Sequence, residues 1–345
     1  MKNILIISLN SGGTMGHGKI ISSLANYLSE KKKEVTILSD MPFTNNFILN
    51  PKVNKINIGM VPHENYTIGG LCHCNQKNKI YSYAIDKNID CIIFSTFFDL
   101  DLVKKFKEIN KKTILLSYPI RDTYRLALRQ NGAYATFDKV VTLYGPCFTD
   151  KKMHNEILVN PLSIVKDKAN PKDKSDILVT CGGGGRPSSK IFLKKAIRAL
   201  NKVIRGTPNK KLKIKIIKGN SKVGITNKNI DTIVWTRNFG SLLASSNIII
   251  SEAGFFTMLD LINYEKKAIL VPGERIIDNQ ELRALKLEES GIGKVFFPFE
   301  KSSKLAKLIL YELNKSYNIN KSFDKIKKHF QKFPDLKVAI LGELK

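Results

Sequence analysis

The sequence predicts an α/β protein made of two βαβ domains that face each other across an interdomain cleft. Short β-branched runs alternate with amphipathic stretches along almost the whole chain. Most of these runs are continuously apolar, which is typical of parallel strands covered by helices on both faces. Each half also opens with a strand that ends in a glycine-rich turn. The 345 residues suit about two domains at roughly 150 residues each.

The elements follow in order from this alternation. In the first half the apolar runs predict strands at 4–9, 35–39, 53–58, 91–95, 113–117 and 139–143. In the second half they predict strands at 177–180, 212–217, 232–235, 248–251 and 268–271. Apolar residues at three- and four-residue spacing predict helices at 19–29, 102–110, 188–204, 255–263, 279–289 and 303–314.

The boundary between the domains is predicted where this periodicity stops. Asn160-Pro161, Asn170-Pro171 and a mixed Lys/Asp run occupy this part of the chain. We therefore expect an N-terminal Rossmann-like domain at 1–160, a linker at 161–176 and a C-terminal Rossmann-like domain at 177–345. A return of the last helix onto the N-terminal domain is left open.

The charge is strongly positive and unevenly distributed. The chain has 57 Lys/Arg against 30 Asp/Glu, a net charge of +27, and residues 161–345 hold 36 against 17. This excess suits nucleic acid, an anionic membrane surface, a phosphate-bearing substrate or a solvated lysine-rich surface. The lysines are dispersed, and no zinc-finger, RRM or basic-zipper pattern accompanies them, so a specific nucleic-acid partner is not expected.

The composition also indicates the compartment. The five cysteines have no regular spacing, which argues against a disulfide framework and favours a reducing cytoplasm. No apolar run approaches the roughly 18 residues of a membrane span. The apolar run at 4–9 is too short for the core of a signal peptide and is expected to be the first strand.

Two short motifs invite a metal and are interpreted otherwise. Cys72-His73-Cys74, with His63 nearby, lacks the second distant ligand pair of a zinc site and is expected to be a loop. Asp99-Leu100-Asp101 resembles a two-acid metal motif, but it precedes a predicted helix and is expected to cap it. We therefore expect neither a metal nor another cofactor.

Two glycine-rich loops are the first candidate sites. The first contains Gly13, Thr14, Met15 and Gly16, and the second contains Gly182, Gly183, Gly184 and Gly185 followed by Arg186. Such loops let the backbone approach a phosphate at a helix N-terminus. Neither has the GxGxxG or P-loop pattern. Asp40, at the end of the second strand, keeps an NAD- or FAD-type site open, and glycines that only make tight turns are the remaining alternative.

His17 is the candidate general base. It lies between Gly16 and Gly18 at the predicted mouth of a helix. A neutral imidazole near pH 7 is suited to remove a proton from a substrate hydroxyl. The alternative is a residue of the first helical turn that bonds to the local backbone.

The segment 251–291 carries the most specific signal. Residues 251–260 again predict a strand, a glycine turn and a helix, and the Pro-containing stretch 268–284 and Leu287-Glu288-Glu289-Ser290-Gly291 follow. With the two glycine loops, this segment resembles the GT-B glycosyltransferases. It is most similar to the MurG-like, glycosyltransferase family 28-like group, which uses UDP-sugar donors, and the resemblance covers most of the chain.

The resemblance implies a role for each matching residue. His17 would deprotonate the acceptor, and Asp260 would bind the ribose hydroxyls of the nucleotide. The remaining donor-site residues are Gly182, Gly183, Gly184 and Gly185 with Ala253, Gly254 and Thr257 for the phosphates and the nucleotide, and Asn279 and Gln280 for the sugar. Arg186 is not part of the family pattern, and we add it because a cation at a helix N-terminus would neutralise the charge of the leaving diphosphate. The chain departs from the family at Asp260, where Glu is usual, and at Asn279, where Gln is usual. Glu252 stands where a basic residue is common.

The implied reaction is the transfer of a hexose or N-acetylhexosamine from a UDP-sugar to an acceptor hydroxyl, by a metal-independent inverting displacement. The acceptor side would include the first glycine loop, the long loop at 60–78, and Arg121 and Arg125. These two arginines would suit a lipid-linked or otherwise anionic acceptor, although Arg125 and Arg129 equally fit one exposed helix face. Peripheral contact with the inner face of the cell membrane is part of the same expectation.

Two other functions stay open. The same fold could hydrolyse a nucleotide sugar or epimerise it at C2, which would need additional acids around the sugar. A non-catalytic subunit that only binds a nucleotide sugar is the other alternative.

Overall fold

The computed structural model describes residues 1–9, 15–40, 49–59, 61, 71–145, 153–161, 174–236, 238–275, 278–315 and 320–345, without the side chains of 15–17 and 320. Contacts between Cα atoms divide the chain into two compact units. Unit 1 comprises Met1–Ser163 and Phe330–Lys345, and unit 2 comprises Ile164–His329. The chain thus passes from one unit to the other within the segment 161–176, and its C-terminal segment returns to unit 1.

Unit 1 contains a parallel sheet with seven described strands in the order β3-β2-β1-β4-β5-β6-β7. The strands are β1 Asn3–Leu9, β2 Glu34–Ser39, β3 Asn54–Asn57, β4 Cys91–Thr96, β5 Lys112–Ser117, β6 Lys139–Leu143 and β7 Glu156–Val159. The helices between them are α1 Met15–Glu30, α2 Lys77–Asp86, α3 Leu100–Glu108 and α4 Asp122–Gln130. In the central strand β1, residues Ile4 to Ile7 are fully buried, as expected of a strand with helices on both faces.

Unit 2 contains a second parallel sheet, with six described strands in the order β10-β9-β8-β11-β12-β13. The strands are β8 Ser175–Thr180, β9 Ile214–Ile217, β10 Ile230–Ile233, β11 Ser246–Glu252, β12 Ala268–Val271 and β13 Gly293–Val295. The helices are α5 Pro187–Gly206, α6 Phe239–Ala244, α7 Phe255–Tyr264, α8 Gln280–Glu289, α9 Ser302–Asn314 and α10 Asn320–Phe330. Both units therefore have the α/β architecture predicted from the sequence.

The last helix, α11 Leu336–Glu343, packs on α1, β6 and β7 of unit 1. Asn160 donates its amide to the Pro334 carbonyl at 2.8 Å, and Asp335 caps the first turn of α11. At the other end of the helix, the Lys112 Nζ lies 3.1 Å from the Glu343 carboxylate. The sequence assigns this helix to the segment 177–345, and its contacts attach it to the first sheet.

Some elements were not predicted, for reasons visible in their residues. Strand β7 begins with Glu156, a carboxylate whose side chain is fully buried, so the apolar run that predicts strands is only three residues long. Strand β10 lies at the edge of its sheet and starts two residues before the predicted 232–235, because its middle residues are exposed. The bounds of helices α2, α4, α6, α10 and α11 and of strand β13 were also not predicted.

Glu156 is buried because two arginines of α4 neutralise it. Arg125, only 3% exposed, donates to one carboxylate oxygen at 2.5 Å, and Arg129 donates to the other at 2.8 Å. The Thr142 hydroxyl adds a bond of 2.7 Å. Burial acts to raise the pKa of Glu156, but the Thr142 hydrogen bond and the charge of Arg125 outweigh it and lower that pKa.

This network corrects the interpretation of Arg125 as an acceptor residue. Its guanidinium is inside unit 1 and is used to hold α4 against β7. Arg125 and Arg129 are also not one exposed helix face, because they converge on the same buried carboxylate. Arg121, at the start of α4, is half-buried and remains a candidate acceptor contact beyond the carboxyl end of β5.

In the part of the chain that the structure describes, none of the helices combines the length and the apolar character needed to cross a bilayer.

Replacing Glu156 by Gln should destabilise the protein by about 3 kcal/mol, because Arg125 would remain buried without its counter-charge. The wild-type contribution is complete above pH 4.5, the ordinary pKa of Glu, and is lost as the pH falls through the lowered folded-state pKa. Urea denaturation at neutral and acidic pH measures both effects. Glu289→Gln breaks an exposed pair with Lys286 and is the control, with an expected loss below about 1 kcal/mol. Equal losses in the two variants would contradict this assignment.

Candidate functional site

The carboxyl ends of three neighbouring strands of unit 2 define the candidate site. Strands β8, β11 and β12 are adjacent in the sheet, and the described residues 181–186, 253–254, 272–275 and 278–279 follow their carboxyl ends. In open parallel sheets, ligands bind beyond this edge. The residues that the sequence assigns to the donor all lie on these loops or on the helices that they start.

The second glycine loop packs backbone to backbone against the turn after β9. Gly184 has a φ of +68°, and a Cβ at this position would overlap the Lys218 carbonyl oxygen. Gly219, on the facing turn, has a φ of +55°, and a Cβ there would overlap the backbone of Gly183. The Asn220 amide donates to the Gly183 carbonyl at 2.9 Å. Gly184 and Gly219 are therefore needed for the close packing of these two turns.

The other glycines of this loop have more room. Gly182 has a φ of +60°, which favours glycine, but a Cβ there would meet no atom within 4 Å. The nearest neighbour of a Cβ on Gly185 would be the Asn220 Cβ at 4.0 Å. Both residues are exposed, so their backbones are accessible to a ligand.

Helix α5 starts directly after this loop. Arg186 is its N-cap residue and Pro187 its first residue, and the Arg186 side chain makes no capping hydrogen bond. The N-terminus of a helix carries a partial positive charge and amide groups without intrahelical acceptors. The N-terminus of α5, next to the second glycine loop, therefore favours the binding of an anion.

A buried carboxylate connects this helix to the loop after β12. Glu252, the last residue of β11, is 5% exposed and accepts from the Ser189 hydroxyl at 3.0 and 3.2 Å. The Arg275 guanidinium lies 3.2 Å from the same carboxylate and donates to the Ser188 hydroxyl at 2.5 Å. Glu252 thus holds Arg275 beside the first turn of α5.

The electrostatics of this cluster are finely balanced. Burial raises the pKa of Glu252, whereas Arg275 and the Ser189 hydroxyl act in the opposite direction. Burial and then the positive charge of Arg275 lower the pKa of Arg186. The two guanidinium groups therefore repel each other at the N-terminus of α5, while the carboxylates of Glu252 and Asp278 act against that repulsion.

Asn279 and Gln280, the predicted sugar contacts, have structural partners. Asn279 caps α8 by accepting from the Leu282 amide at 3.1 Å. Gln280 is buried, and its side-chain oxygen accepts from the Gly273 amide at 2.9 Å. Gln280 thereby fixes the loop that carries Arg275, and a sugar contact by either residue stays a prediction.

Ala253 and Gly254 start the next helix. Gly254 is the N-cap residue of α7, and the Ala253 carbonyl accepts from Arg283 at 2.8 Å. Arg283 is 2% exposed, pairs with Asp278 and lies 5.5 Å from the centre of the Phe255 ring. These contacts brace the ends of β11 and β12 against each other.

Thr257 and Asp260 lie further along α7. Thr257 is half-buried and close to Gly254, with its Oγ1 3.7 Å from where a Cβ on that glycine would lie. Asp260 is 4% exposed and lies on the buried side of the helix with Met258 and Leu259. A ribose contact by Asp260 stays a prediction, and its burial leaves little of this side chain accessible to a ligand.

The residues assigned to the acceptor side belong mostly to the N-terminal loop. Gly13 and Thr14 lie outside the described residues. Met15, Gly16 and His17 form the first turn of α1, directly after the loop that follows β1, and their side chains also lie outside the described part. His17 is therefore placed by its backbone at a helix N-terminus beyond the carboxyl end of β1.

The two metal motifs have structural explanations. Cys72 and Cys74 are buried in the core of unit 1, whereas His73 between them is exposed, so the three side chains do not converge. Asp99 caps α3 by accepting from the Leu102 amide at 3.1 Å, which confirms the predicted cap. Asp101 is exposed and pairs with Lys77. Within the described ranges, no three His, Cys, Asp or Glu side chains are grouped as a metal site would require.

Asp40, the residue that kept a dinucleotide site open, is 2% exposed at the end of β2. Its negative charge contributes, after burial and the charges of Cys74 and Asp99, to raising the pKa of Cys72. The carboxylate thus lies near the core of unit 1 and presents little surface to a ribose.

Sequence reasoning missed Arg275 and Ser189. The sequence contained one signal for them: Glu252 stands where the family commonly has a basic residue. An acid at the end of a buried strand requires a nearby cation. Arg275 is the nearest basic residue of the loop after β12, but the sequence does not show that this loop reaches β11.

The comparisons with known proteins agree with this geometry. Residues 177–338 match the family model described as the glycosyltransferase family 28 C-terminal domain. No curated protein sequence matches the chain.

Solved structures show the same fold over the whole chain. The spinosyn forosaminyltransferase SpnP has a TM-score of 0.71 at 12% identity and covers 99% of each chain. The spinosyn rhamnosyltransferase SpnG, complexed with thymidine diphosphate, has a TM-score of 0.67 at 12% identity over 100% of each chain. MurG from Acinetobacter baumannii has a TM-score of 0.61 at 13% identity over 100% of this chain and 99% of its own.

The protein is therefore a glycosyltransferase with the two-domain α/β fold called GT-B. Its segment 177–338 matches the model of the C-terminal domain of glycosyltransferase family 28. The family resemblance and the fold class predicted from the sequence are both confirmed.

Gly184→Ala should destabilise the protein by more than about 2 kcal/mol, because alanine disfavours a positive φ by about 1–2 kcal/mol and its Cβ would also overlap the Lys218 carbonyl. Gly185→Ala is the matched control and should change stability by less than about 0.5 kcal/mol. Urea denaturation of the two variants measures the difference. A Gly184 variant as stable as the Gly185 variant would show that the loop does not need this close approach.

Proposed function

We propose that the protein transfers a hexose or N-acetylhexosamine from a UDP-sugar to an acceptor hydroxyl by a metal-independent inverting displacement. The observation that carries the proposal is the pair of arginines, Arg186 and Arg275, at the N-terminus of α5 in a family 28 domain. Fixed cations and a helix N-terminus suit the diphosphate of a nucleotide sugar.

The choice of UDP follows from the resemblance to MurG-like enzymes. The SpnG structure is a complex with thymidine diphosphate, so dTDP is the competing nucleotide. The two differ in the base methyl group and the ribose 2′-hydroxyl. Binding experiments with both nucleotides therefore test the donor directly.

In the proposed reaction, His17 removes the proton of the acceptor hydroxyl while the oxygen attacks the anomeric carbon from the face opposite the nucleotide. The bond to the diphosphate oxygen breaks, and negative charge develops on the leaving group. Arg186, Arg275 and the amide groups at the start of α5 would stabilise that charge. These fixed groups supply the charge complement that a metal ion would otherwise provide.

The proposed acceptor is lipid-linked or anionic, and Arg121 at the end of β5 is its candidate contact. The proposal locates the protein in the cytoplasm, at the inner face of the cell membrane. The net charge of +27 favours contact with an anionic surface. The described cysteines Cys72, Cys74, Cys91 and Cys181 carry free thiols, as in a reducing compartment.

Arg275→Gln should weaken UDP binding by about 10- to 100-fold and leave uridine binding unchanged, because only UDP carries the diphosphate. Isothermal titration calorimetry with UDP, dTDP and uridine measures the three affinities. Arg205→Gln, at the far end of the same helix, removes an equal charge and is the control.

Three results would contradict the donor assignment. Unchanged UDP affinity in the Arg275 variant would show that Arg275 does not contact the diphosphate. An equal loss for uridine would indicate a general structural effect. Preferential binding of dTDP would replace UDP as the donor nucleotide.

His17→Ala should lower turnover by about 10²- to 10⁴-fold with little change in donor affinity, as the loss of a general base predicts. Release of UDP with and without polyprenyl-phosphate acceptors measures turnover and separates transfer from hydrolysis. His73→Ala, an exposed histidine of the same unit, is the control. A wild-type rate for the His17 variant would exclude it as the base, and equal UDP release without acceptor would favour the hydrolase.

A further inference from the structure

One continuous part of unit 2 carries much of the positive charge of the protein. Residues 177–230 contain 14 Lys/Arg and no Asp/Glu, whereas the whole chain has a net charge of +27. This part comprises most of β8, all of α5 and β9, and the turns up to β10. The apolar residues of β8, α5 and β9 pack in the core of unit 2, so the excess of basic residues does not arise from packing.

The exposed side of α5 concentrates this charge. The helix has 20 residues and is therefore about 30 Å long. Lys190, Lys194, Arg198 and Lys202 lie along its exposed side, and we call these four residues the α5 basic face. Among the described residues, none of the four forms an ion pair. The face is thus a row of solvated cations without counter-charges.

Apolar side chains are exposed beside this face. Ile191, on α5 itself, is 56% exposed. Phe299 is 83% exposed, and its ring stacks on Phe297 with the centres 5.4 Å apart. Lys195 of α5 donates to the carbonyls of Pro298 and Glu300, at 2.5 Å for Glu300, and so holds the Phe299 loop against the helix.

A groove lies beside the α5 basic face, and three residues of that face contribute to its lining. It has a volume of about 430 Å³, and Ile197 and Val223 form apolar parts of its wall. Lys190, Lys194 and Lys222 surround it. Cations around an apolar surface suit a ligand that is anionic at one end and hydrocarbon at the other.

We infer that the α5 basic face, with Ile191 and Phe299, docks unit 2 on the surface of a bilayer that contains anionic phospholipids. Lysines and arginines would contact the phosphate headgroups, while Phe299 and Ile191 enter the boundary with the acyl chains. A nucleic acid would match the charges, and Phe299 would suit stacking on a base, but the exposed Ile191 gains only from contact with hydrocarbon. The inference rests on the proposed location at the membrane and names the surface that makes the contact. It uses residues outside the donor site and does not depend on which sugar the enzyme transfers.

The test is co-sedimentation of the full chain with phospholipid vesicles. We expect binding to phosphatidylcholine vesicles that contain about 30% phosphatidylglycerol, and at least tenfold weaker binding to phosphatidylcholine alone. The triple variant Lys190→Gln, Lys194→Gln, Arg198→Gln should bind the anionic vesicles at least tenfold more weakly than the wild type. A control variant with the same loss of charge changes three exposed lysines of unit 1: Lys55→Gln, Lys79→Gln, Lys87→Gln.

The apolar contribution is tested separately. Phe299→Ser should weaken vesicle binding severalfold, whereas Leu126→Ser, which removes an exposed leucine from α4, should not. UDP binding measured on every variant reports on the donor site, so its loss alone concerns the proposed function and not the membrane surface.

Three outcomes would overturn the inference. The first is equal binding of the triple variant and its control, which would reduce the effect to net charge. The second is equal binding of the Phe299 and Leu126 variants. The third is no vesicle binding by the wild type, with saturable binding of single-stranded DNA that the triple variant loses, which would assign the surface to nucleic acid.

Discussion

The buried carboxylate of Glu252 is the constraint on which the candidate donor site depends. It terminates β11 and accepts from Ser189 on α5 and from Arg275 after β12. Three segments that are distant in the sequence are therefore fixed at one point of the sheet edge. Burial disfavours the charged form of Glu252, so its arginine and serine partners are needed to keep the carboxylate in place.

The same arrangement explains why positive charge accumulates where a diphosphate would bind. Glu252 brings Arg275 to the start of α5, where Arg186 and the helix N-terminus are already positive. Arg186 and Arg275 repel each other, and the carboxylates of Glu252 and Asp278 act against that repulsion. An anion that contacts both guanidiniums would relieve it, so the free energy of binding would include the loss of this repulsion.

The sequence predicted what depends on local patterns. Continuous apolar runs identified the central strands, and the strand-glycine-helix pattern located the loops at 182–185 and 253–254. Prediction from the sequence failed where an element depends on a contact between residues that are distant in the chain. Glu156 is a strand residue only because Arg125, 31 positions earlier, neutralises it, and the packing role of Gly184 depends on the turn at Lys218. Charged residues in the core and backbone contacts between loops leave no periodic signal.

Helix α5 uses its positive charge in two physically different ways. At its N-terminus, Arg275 is half-buried and held by Glu252 and Ser188, so salt screens its interactions weakly. Along its exposed side, the lysines are solvated, and at physiological ionic strength charges separated by more than about 8 Å are largely screened. Binding at the exposed face must therefore weaken steeply as salt is added, whereas diphosphate binding must weaken less. One helix can in this way support a salt-sensitive surface and a salt-resistant site.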